Sequence, residues 1–362
     1  MTKSKKFSKE EKAMVIIVVI LAAYLIFMLY PRFISSPSVP GVETYDVEII
    51  KISGCEDCFN IEDSSTLIKG VQGVVVENER IISRDSDEAR ELISKFGFTR
   101  FPVMVVYSDD LDKIAVDETV FTKSDDAIVF DRPVPYVEVD SDEVKGLIDM
   151  KEIIDGTCSE CGSLSKMREQ FESLGVMVGN YEIIDSKSEA GKGLISGNEL
   201  KMIPSLLLSK DIDEYWWLTE VLTSVIDDSS DEYYTFKNPI YPHKEILTGK
   251  IIGKVDITYL QNSSCEDCFN ITELKSGFQR IGVFIDGENY VEVSSSAGKS
   301  LISKYNITII PTVVLSKELG DYDLIEKSLD QVGTFESDGK FVFRGIDGLG
   351  VKYQTIGGNN GN

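Results

Sequence analysis

Histidine and basic residues are scarce in this sequence. The one histidine, His243, cannot supply a multi-histidine zinc site, and it argues against a cysteine–histidine protease pair. It follows Tyr241-Pro242, and we interpret it as an exposed linker residue. Lysine and arginine number 37 against 61 acidic residues, a net charge of -24. We therefore expect no nucleic-acid partner; the acidity fits a soluble, self-repelling surface or, alternatively, a surface for cationic partners.

Cysteine is limited to six residues, and all six fall in Cys-x-x-Cys pairs. The segment CEDCFNI begins at Cys55 and again at Cys265, and a looser pair, CSEC, begins at Cys158. Two intervening residues predict that both sulfurs lie on the first turn of a helix, where they can close a small disulfide or share a metal. A redox pair, a metal site and a structural staple are the alternatives; zinc takes four ligands and would need two pairs brought together.

One long apolar run, AMVIIVVILAAYLIFMLY at residues 13–30, has neither charge nor proline. As a helix it rises about 27 Å, close to the roughly 30 Å hydrocarbon core of a bilayer. Five lysines within residues 1–12 favour a cytoplasmic amino terminus and place the rest outside. We expect a cytoplasmic tail at 1–12, a single transmembrane anchor at 13–30 and a linker at 31–44. A cleaved signal peptide and a buried helix are the alternatives.

The remainder repeats one pattern three times. Each copy has a strand, a cysteine pair, a helical pattern, a second strand, a helix carrying Leu-Ile-Ser, and a proline that opens a third strand. We predict first strands at 47–52, 147–154 and 255–260, and second strands at 74–82, 176–184 and 283–293. The prolines, which stand 47, 46 and 46 residues after the first cysteine of each copy, are Pro102, Pro204 and Pro311.

The repeat predicts an α/β protein with three domains. We place them at 45–140, 141–247 and 248–346, with a tail at 347–362. The segments PVPYVEVDSDEVKGLI and PIYPHKEILTGKIIGKV, which join the copies, have the pattern of strand pairs joined by a turn.

This order of elements resembles the thioredoxin fold, and three copies are similar in plan to the multidomain protein disulfide isomerases. The resemblance implies tandem thioredoxin-like domains, each a central mixed sheet flanked by helices. It also implies a membrane-anchored thiol–disulfide oxidoreductase or isomerase that acts on extracytoplasmic protein thiols and disulfides. Such an enzyme needs no cofactor and no metal, and its redox partner is not identified by the sequence.

The resemblance assigns roles to residues by position. The attacking thiols would be Cys55, Cys158 and Cys265, and the resolving thiols Cys58, Cys161 and Cys268. The prolines would be cis, and the residues before them would pair with an extended substrate; these pairs are Phe101 with Pro102, Ile203 with Pro204, and Ile310 with Pro311.

The chain also departs from that family. The usual tryptophan before the first cysteine is replaced by Gly54, Thr157 and Ser264, and the family's buried acid falls on Ile49, Glu152 and Tyr259. These departures leave open a non-catalytic binding scaffold whose cysteine pairs are structural disulfides. The acidic residues between the cysteines, such as Glu56 and Asp57, oppose thiolate formation. We therefore expect the pairs to be poor oxidants, with reduction potentials well below the roughly -120 mV of strong oxidants.

Overall fold

The computed structural model describes residues 43–237, 239–322, 325 and 328–356, and over these ranges it is an α/β protein, as predicted. The predicted tail at 1–12 and anchor at 13–30 lie outside the described residues, as does most of the linker. Within the described ranges, no helix has both the length and the apolar character needed to cross a bilayer.

Strands and helices alternate up to the second helix of each copy, and strands predominate after it. The first copy contains β1 (Tyr45–Ile52), α1 (Ser65–Lys69), β2 (Val74–Ile82), α2 (Asp87–Phe96), β3 (Arg100–Phe101), β4 (Val103–Tyr107), β5 (Thr122–Lys123), β6 (Ile128–Phe130), β7 (Tyr136–Glu138) and β8 (Val144–Lys145). The second contains β9 (Ile148–Ile154), α3 (Met167–Ser173), β10 (Val178–Asp185), α4 (Glu189–Gly197), β11 (Met202–Ile203), β12 (Ser205–Ser209), α5 (Thr219–Val225), β13 (Ile226–Asp228), β14 (Tyr233–Phe236), β15 (His243–Glu245) and β16 (Ile251–Ile252). The third contains β17 (Val255–Gln261), α6 (Leu274–Arg280), β18 (Ile285–Glu292), α7 (Ser296–Tyr305), β19 (Ile309–Ile310), β20 (Thr312–Leu315), β21 (Gly333–Phe335), β22 (Phe341–Phe343) and β23 (Gln354–Thr355).

The first sheet has the strand order β2-β1-β4-β6-β5. Strand β1 is parallel to β2 and antiparallel to β4, and β6 is antiparallel to both β4 and β5. Side chains alternate between the two faces of a strand, and both faces of β1 are buried. Ile52 lies in an apolar cluster with Leu92 of α2, whereas Ile49 lies in another with Ile68 of α1.

The third sheet repeats this arrangement with the order β18-β17-β20-β22-β21. Strand β17 is parallel to β18 and antiparallel to β20. Tyr259 packs in a cluster with Phe278 of α6, and Leu260 packs in another with Tyr305 of α7. The middle sheet has the corresponding order β10-β9-β12-β14-β13, in which β14 is antiparallel to β12 and β13.

A serine opens the helix after the second strand in every copy. Its hydroxyl accepts a hydrogen bond from the third amide of the helix start, which satisfies a donor that would otherwise lack a partner. The pairs are Ser86 with Ala89 at 3.2 Å, Ser188 with Gly191 at 2.9 Å, and Ser295 with Gly298 at 3.0 Å.

Internal contacts divide the chain into two compact units. The described residues of the first are 43–151, 166–182 and 207–237, and the second holds 152–165, 183–206 and the described residues from 239 onwards. The three domain ranges taken from the repeat stay a prediction.

Candidate functional site

The two cysteines of each Cys-x-x-Cys pair form a disulfide with each other. The sulfur–sulfur distances are 2.14 Å for Cys55–Cys58, 2.05 Å for Cys158–Cys161 and 2.03 Å for Cys265–Cys268. The described chain contains no free cysteine. In that part of the chain, no group of three or more histidine, cysteine, aspartate or glutamate side chains is placed to hold a metal ion.

The cysteine pairs lie in turns that precede the helices, so the prediction that both sulfurs share a helix's first turn is wrong. Cys58 donates its amide to the carbonyl of Cys55 at 3.2 Å, and Cys268 donates to Cys265 at 3.3 Å. The helical segments begin later because asparagines cap them: Asn60 accepts from the amide of Glu62 and Asn270 from that of Thr272, at 3.0 and 3.3 Å.

This position changes the electrostatics expected at the sulfurs. The segments after the caps are the 3₁₀ helices Ile61–Ser64 and Ile271–Glu273, and α3 begins only at Met167. The field of a helix start falls off within its first turn, so it stabilises a thiolate at these turns less than it would on the first turn itself.

The two sulfurs of the first pair differ in exposure. Cys58 is 6% exposed, whereas Cys55 is partly exposed. In the other two pairs both cysteines are partly exposed. A reagent from solvent therefore reaches Cys55 more readily than Cys58, and the order of attacking and resolving roles stays a prediction.

The three prolines follow cis peptide bonds: Phe101–Pro102, Ile203–Pro204 and Ile310–Pro311. In the first copy the proline is next to the disulfide. A Cβ atom built on Gly54 would lie 2.8 Å from Cδ of Pro102 and 2.9 Å from Cβ of Cys58. A side chain at Gly54, where the resemblance expects tryptophan, would therefore meet both groups.

The short strand before each of these prolines is paired with a later segment of the same chain. Strand β3 pairs with β7, β11 with β15, and β19 with β23, all antiparallel. We call these later segments the first strap (residues 135–138), the second strap (residues 242–245) and the third strap (residues 352–355).

The pairing uses the backbone groups of the residues before the prolines. Amides of Val139, Ile246 and Ile356 donate to carbonyls of Thr99, Lys201 and Thr308. Hydrogen-bonded pairs alternate with non-bonded pairs along an antiparallel ladder, so the pairs two residues further in are also hydrogen-bonded. These inner pairs are Phe101 with Val137, Ile203 with Lys244, and Ile310 with Gln354.

Each strap also reaches the cysteine turn. The amide that follows the second cysteine donates to a carbonyl at the start of the strap: Phe59 to Pro135 at 2.8 Å, Gly162 to Pro242 at 2.6 Å, and Phe269 to Lys352 at 2.9 Å. A strap therefore runs from the cysteine turn to the strand before the proline in all three copies. The edge that the resemblance assigns to a substrate already holds the chain's own backbone, and the substrate-binding role of that edge stays a prediction.

A buried carboxylate fastens the second strap. Asp155, three residues before Cys158, has a side chain that is 2% exposed, with Nζ of Lys244 at 2.7 Å and Nζ of Lys187 at 2.9 Å. Hydrogen bonds from Lys244, Thr157 and Lys187 hold the pKa of Asp155 well below its usual range. Asp155 is therefore an anion across the physiological pH range.

The acidic spacers between the cysteines are exposed, and two of them have cationic partners. Glu160 lies 2.6 Å from Nζ of Lys254, and Asp267 lies 3.0 Å from Nζ of Lys352 in the third strap. Such exposed pairs contribute little to stability, but they offset part of the negative charge beside the disulfides.

The position at which the resemblance expects a buried acid carries one only in the middle copy. Ile49 and Tyr259 are fully buried in apolar clusters. Glu152 is 3% exposed, and its Oε1 accepts from the amide of Leu164 at 3.2 Å. The first copy instead buries Lys51, two residues further along β1.

His243 is not the exposed linker residue that we expected. It lies in β15, within the second strap, and is 8% exposed. Burial lowers its pKa. The context Tyr-Pro-His indicated a linker, but His243 is the first residue of β15, which pairs with β11 and β16.

No protein-family model and no curated protein matches the sequence. Among solved structures, three crystal structures of ERdj5 align with 90% of this chain. Form I has a TM-score of 0.15 at 9% identity over 41% of its length, and the full-length structure has 0.15 at 9% over 45%. Form II has 0.16 at 10% over 41%. The chain thus spans less than half of those structures, and at such TM-scores the likeness supports no statement about mechanism.

Proposed function

We propose that the protein is a thiol–disulfide oxidoreductase or isomerase built from three tandem thioredoxin-like domains. The observation that carries this proposal is the geometry of the first site, where a Cys-x-x-Cys disulfide lies in a turn against a cis-proline. Cys55 is the more exposed of the two cysteines in that disulfide. The same order of strand, cysteine turn and cis-proline occurs in all three copies.

The disulfide form supports oxidation of a substrate dithiol. A substrate thiolate attacks Sγ of Cys55, the Cys55–Cys58 bond breaks, and Cys58 leaves as a thiolate. A second substrate thiolate then attacks the substrate sulfur of the mixed disulfide and expels Cys55. Two electrons pass to the cysteine pair and one disulfide forms in the substrate. The reverse sequence, which starts with attack by Cys55, reduces or rearranges substrate disulfides.

The remaining parts of the proposal concern partners and location. The substrates are protein thiols and disulfides, and a separate redox protein returns the pairs to their starting state. Residues 13–30 anchor the chain in a membrane, with the amino terminus in the cytoplasm and the domains outside it. The apolar run and the lysines that precede it support this placement.

A specific observation favours a second candidate, the binding scaffold with structural disulfides. In all three copies the edge beside the proline is occupied by a strap. A site that is closed by its own chain needs no catalytic role for its disulfide.

A turnover assay separates the two candidates. We expect the protein to catalyse insulin reduction or the refolding of a scrambled disulfide protein. Replacing Cys55, Cys158 and Cys265 together by serine should abolish that activity. The matched control keeps all cysteines and replaces one serine in or near each pair, Ser53, Ser159 and Ser263, by alanine. Activity that survives the cysteine replacements contradicts the proposal.

A further inference from the structure

The straps show what kind of segment the site edges accept. Each strap is extended, antiparallel to the strand before the proline, and hydrogen-bonded to it. Each also accepts a hydrogen bond from the amide after the second cysteine. Each strap therefore makes the main-chain contacts that a bound peptide makes when it extends a sheet.

One side chain of each strap is matched to a residue at or directly after the end of the first strand of its copy, which we call the turn residue. The strap residue is the one paired with the residue before the proline, and the turn residue stands three positions before the first cysteine. In the first copy Val137 and Ile52 are both aliphatic and are buried in one cluster. In the second copy Lys244 and Asp155 form an ion pair at 2.7 Å. In the third copy the amide groups of Gln354 and Asn262 are hydrogen-bonded at 2.7 Å.

The chemistry of the turn residue thus changes together with that of the strap. An apolar position receives an apolar side chain, a carboxylate receives an ammonium, and an amide receives an amide. In all three copies the strap residue is therefore complementary in chemistry to the turn residue, which is how a site distinguishes one side chain from another.

The pair in the middle copy is the ionic one of the three. The Asp155 side chain is almost fully buried, so its charge acts in a poorly solvated site. Lys187 remains 2.9 Å from the carboxylate and Thr157 2.6 Å from it, so the charge keeps two partners when Lys244 is removed. Loss of Lys244 therefore frees a cation position without leaving a buried charge unpaired.

We propose that Asp155 is a specificity-determining residue of the middle site, which selects extended peptide segments that carry a lysine or arginine, and that Lys244 of the second strap occupies this position in the resting protein. The proposal rests on the thiol–disulfide function, because it names the substrate class of that site. It applies to the middle site alone. At the first site the corresponding side chain is aliphatic, and at the third site it carries an amide.

The test uses the full chain with Cys161→Ser, which leaves Cys158 as the one thiol free to react. The probes are two peptides that carry a single cysteine as a mixed disulfide with an aromatic thiol. They are identical except that two lysines in one are glutamates in the other. Cys158 attacks the peptide sulfur, a new mixed disulfide forms, and the aromatic thiolate is released and followed by its colour.

We expect Lys244→Ala to raise the ratio of the lysine-peptide rate to the glutamate-peptide rate by at least about tenfold. Lys250→Ala, an exposed lysine of the same hairpin, should leave this ratio unchanged. The net charge of -24 favours any cationic peptide in every variant. The informative quantity is therefore the difference in this rate ratio between variants. Adding Asp155→Asn to Lys244→Ala should remove the gain.

A ratio that is equal in Lys244→Ala and Lys250→Ala overturns the inference, as does a gain that persists with Asp155→Asn. If the Asp155→Asn protein does not fold, the comparison of the two lysine variants decides alone. The reaction is stoichiometric, so a failure of this inference is distinct from a failure of the proposed catalysis, which requires turnover.

Discussion

The buried ion pair beneath the first site gives a stability prediction that can be worked out from the structure. Lys51 has a side chain that is 2% exposed, and its Nζ lies 2.5 Å from Oε1 of Glu79. Lys69 lies 2.7 Å from the other carboxylate oxygen. Burial raises the pKa of Glu79, but hydrogen bonds from Lys51, Lys69 and Ser65 outweigh it and lower the pKa to about 2.

The lowered pKa of Glu79 determines how the stability of the fold changes with pH. A carboxyl group with a depressed pKa in the folded state contributes stability above its ordinary pKa of 4.5, and that contribution is lost as the pH falls towards about 2. The difference corresponds to about 3 kcal/mol. The side chain of Glu79 is 27% exposed, so solvent screening reduces the value and we expect about 1–3 kcal/mol.

Glu79→Gln is the perturbation that tests this value. At pH 7 we expect the free energy of opening of β1, measured by hydrogen exchange, to fall by about 1–3 kcal/mol, while β17 stays unchanged as an internal control. In urea titrations between pH 5 and pH 2.5, the variant should lose less stability than the parent by a similar amount.

Adding Lys51→Met should restore part of the stability, since no buried charge is then left without its partner. Equal pH dependence in the parent and in Glu79→Gln would refute the reasoning about the ion pair.

Two further predictions concern the surroundings of the disulfides. Gly54→Ala should destabilise the first copy of the repeat by about 1–3 kcal/mol in hydrogen exchange, because the new Cβ would lie 2.8 Å from the ring of Pro102. Its control, Gly193→Ala in α4, meets no atom within 4 Å and should stabilise that helix by up to about 1 kcal/mol; destabilisation of similar size at both sites would contradict the steric account. Lys352→Gln should make the potential of the Cys265–Cys268 pair more negative, by up to about 20 mV, because Asp267 loses its cationic partner. Lys299→Gln, an exposed lysine of α7, serves as the control in redox titration, and a shift towards positive potential in Lys352→Gln would refute the electrostatic reasoning.

Hydrophobic periodicity located most of the regular structure in advance. The second strand of the first copy was predicted at 74–82 and spans Val74–Ile82, and the first strand of the third copy was predicted at 255–260 and spans Val255–Gln261. In both strands the less exposed side chains recur at every second residue over most of the length, so their residues carry the signal directly. The strand pairs predicted in the joining segments are also present, as β7 with β8 and β15 with β16.

The straps could not be foreseen because pairing across a sheet edge depends on distant residues. Phe101 and Val137 are separated by 36 positions, and nothing in either local pattern marks the other as its partner. The late helix starts were foreseeable: asparagine is a preferred capping residue, and Asn60 and Asn270 stand two residues after the second cysteine. The cysteine spacing alone places the sulfurs on a helix start, whereas the asparagine cap places that start after them.

The measurement that tests the central claim most directly is capture of a substrate on the first cysteine of each pair. The full chain with Cys58, Cys161 and Cys268 replaced by serine cannot resolve a mixed disulfide, so it should form covalent complexes with an unfolded protein that contains disulfides. We expect mass spectrometry to locate the cross-links at Cys55, Cys158 or Cys265. We expect none in the variant that lacks these three and keeps the second cysteines. Equal trapping by both variants, or by neither, would contradict the account.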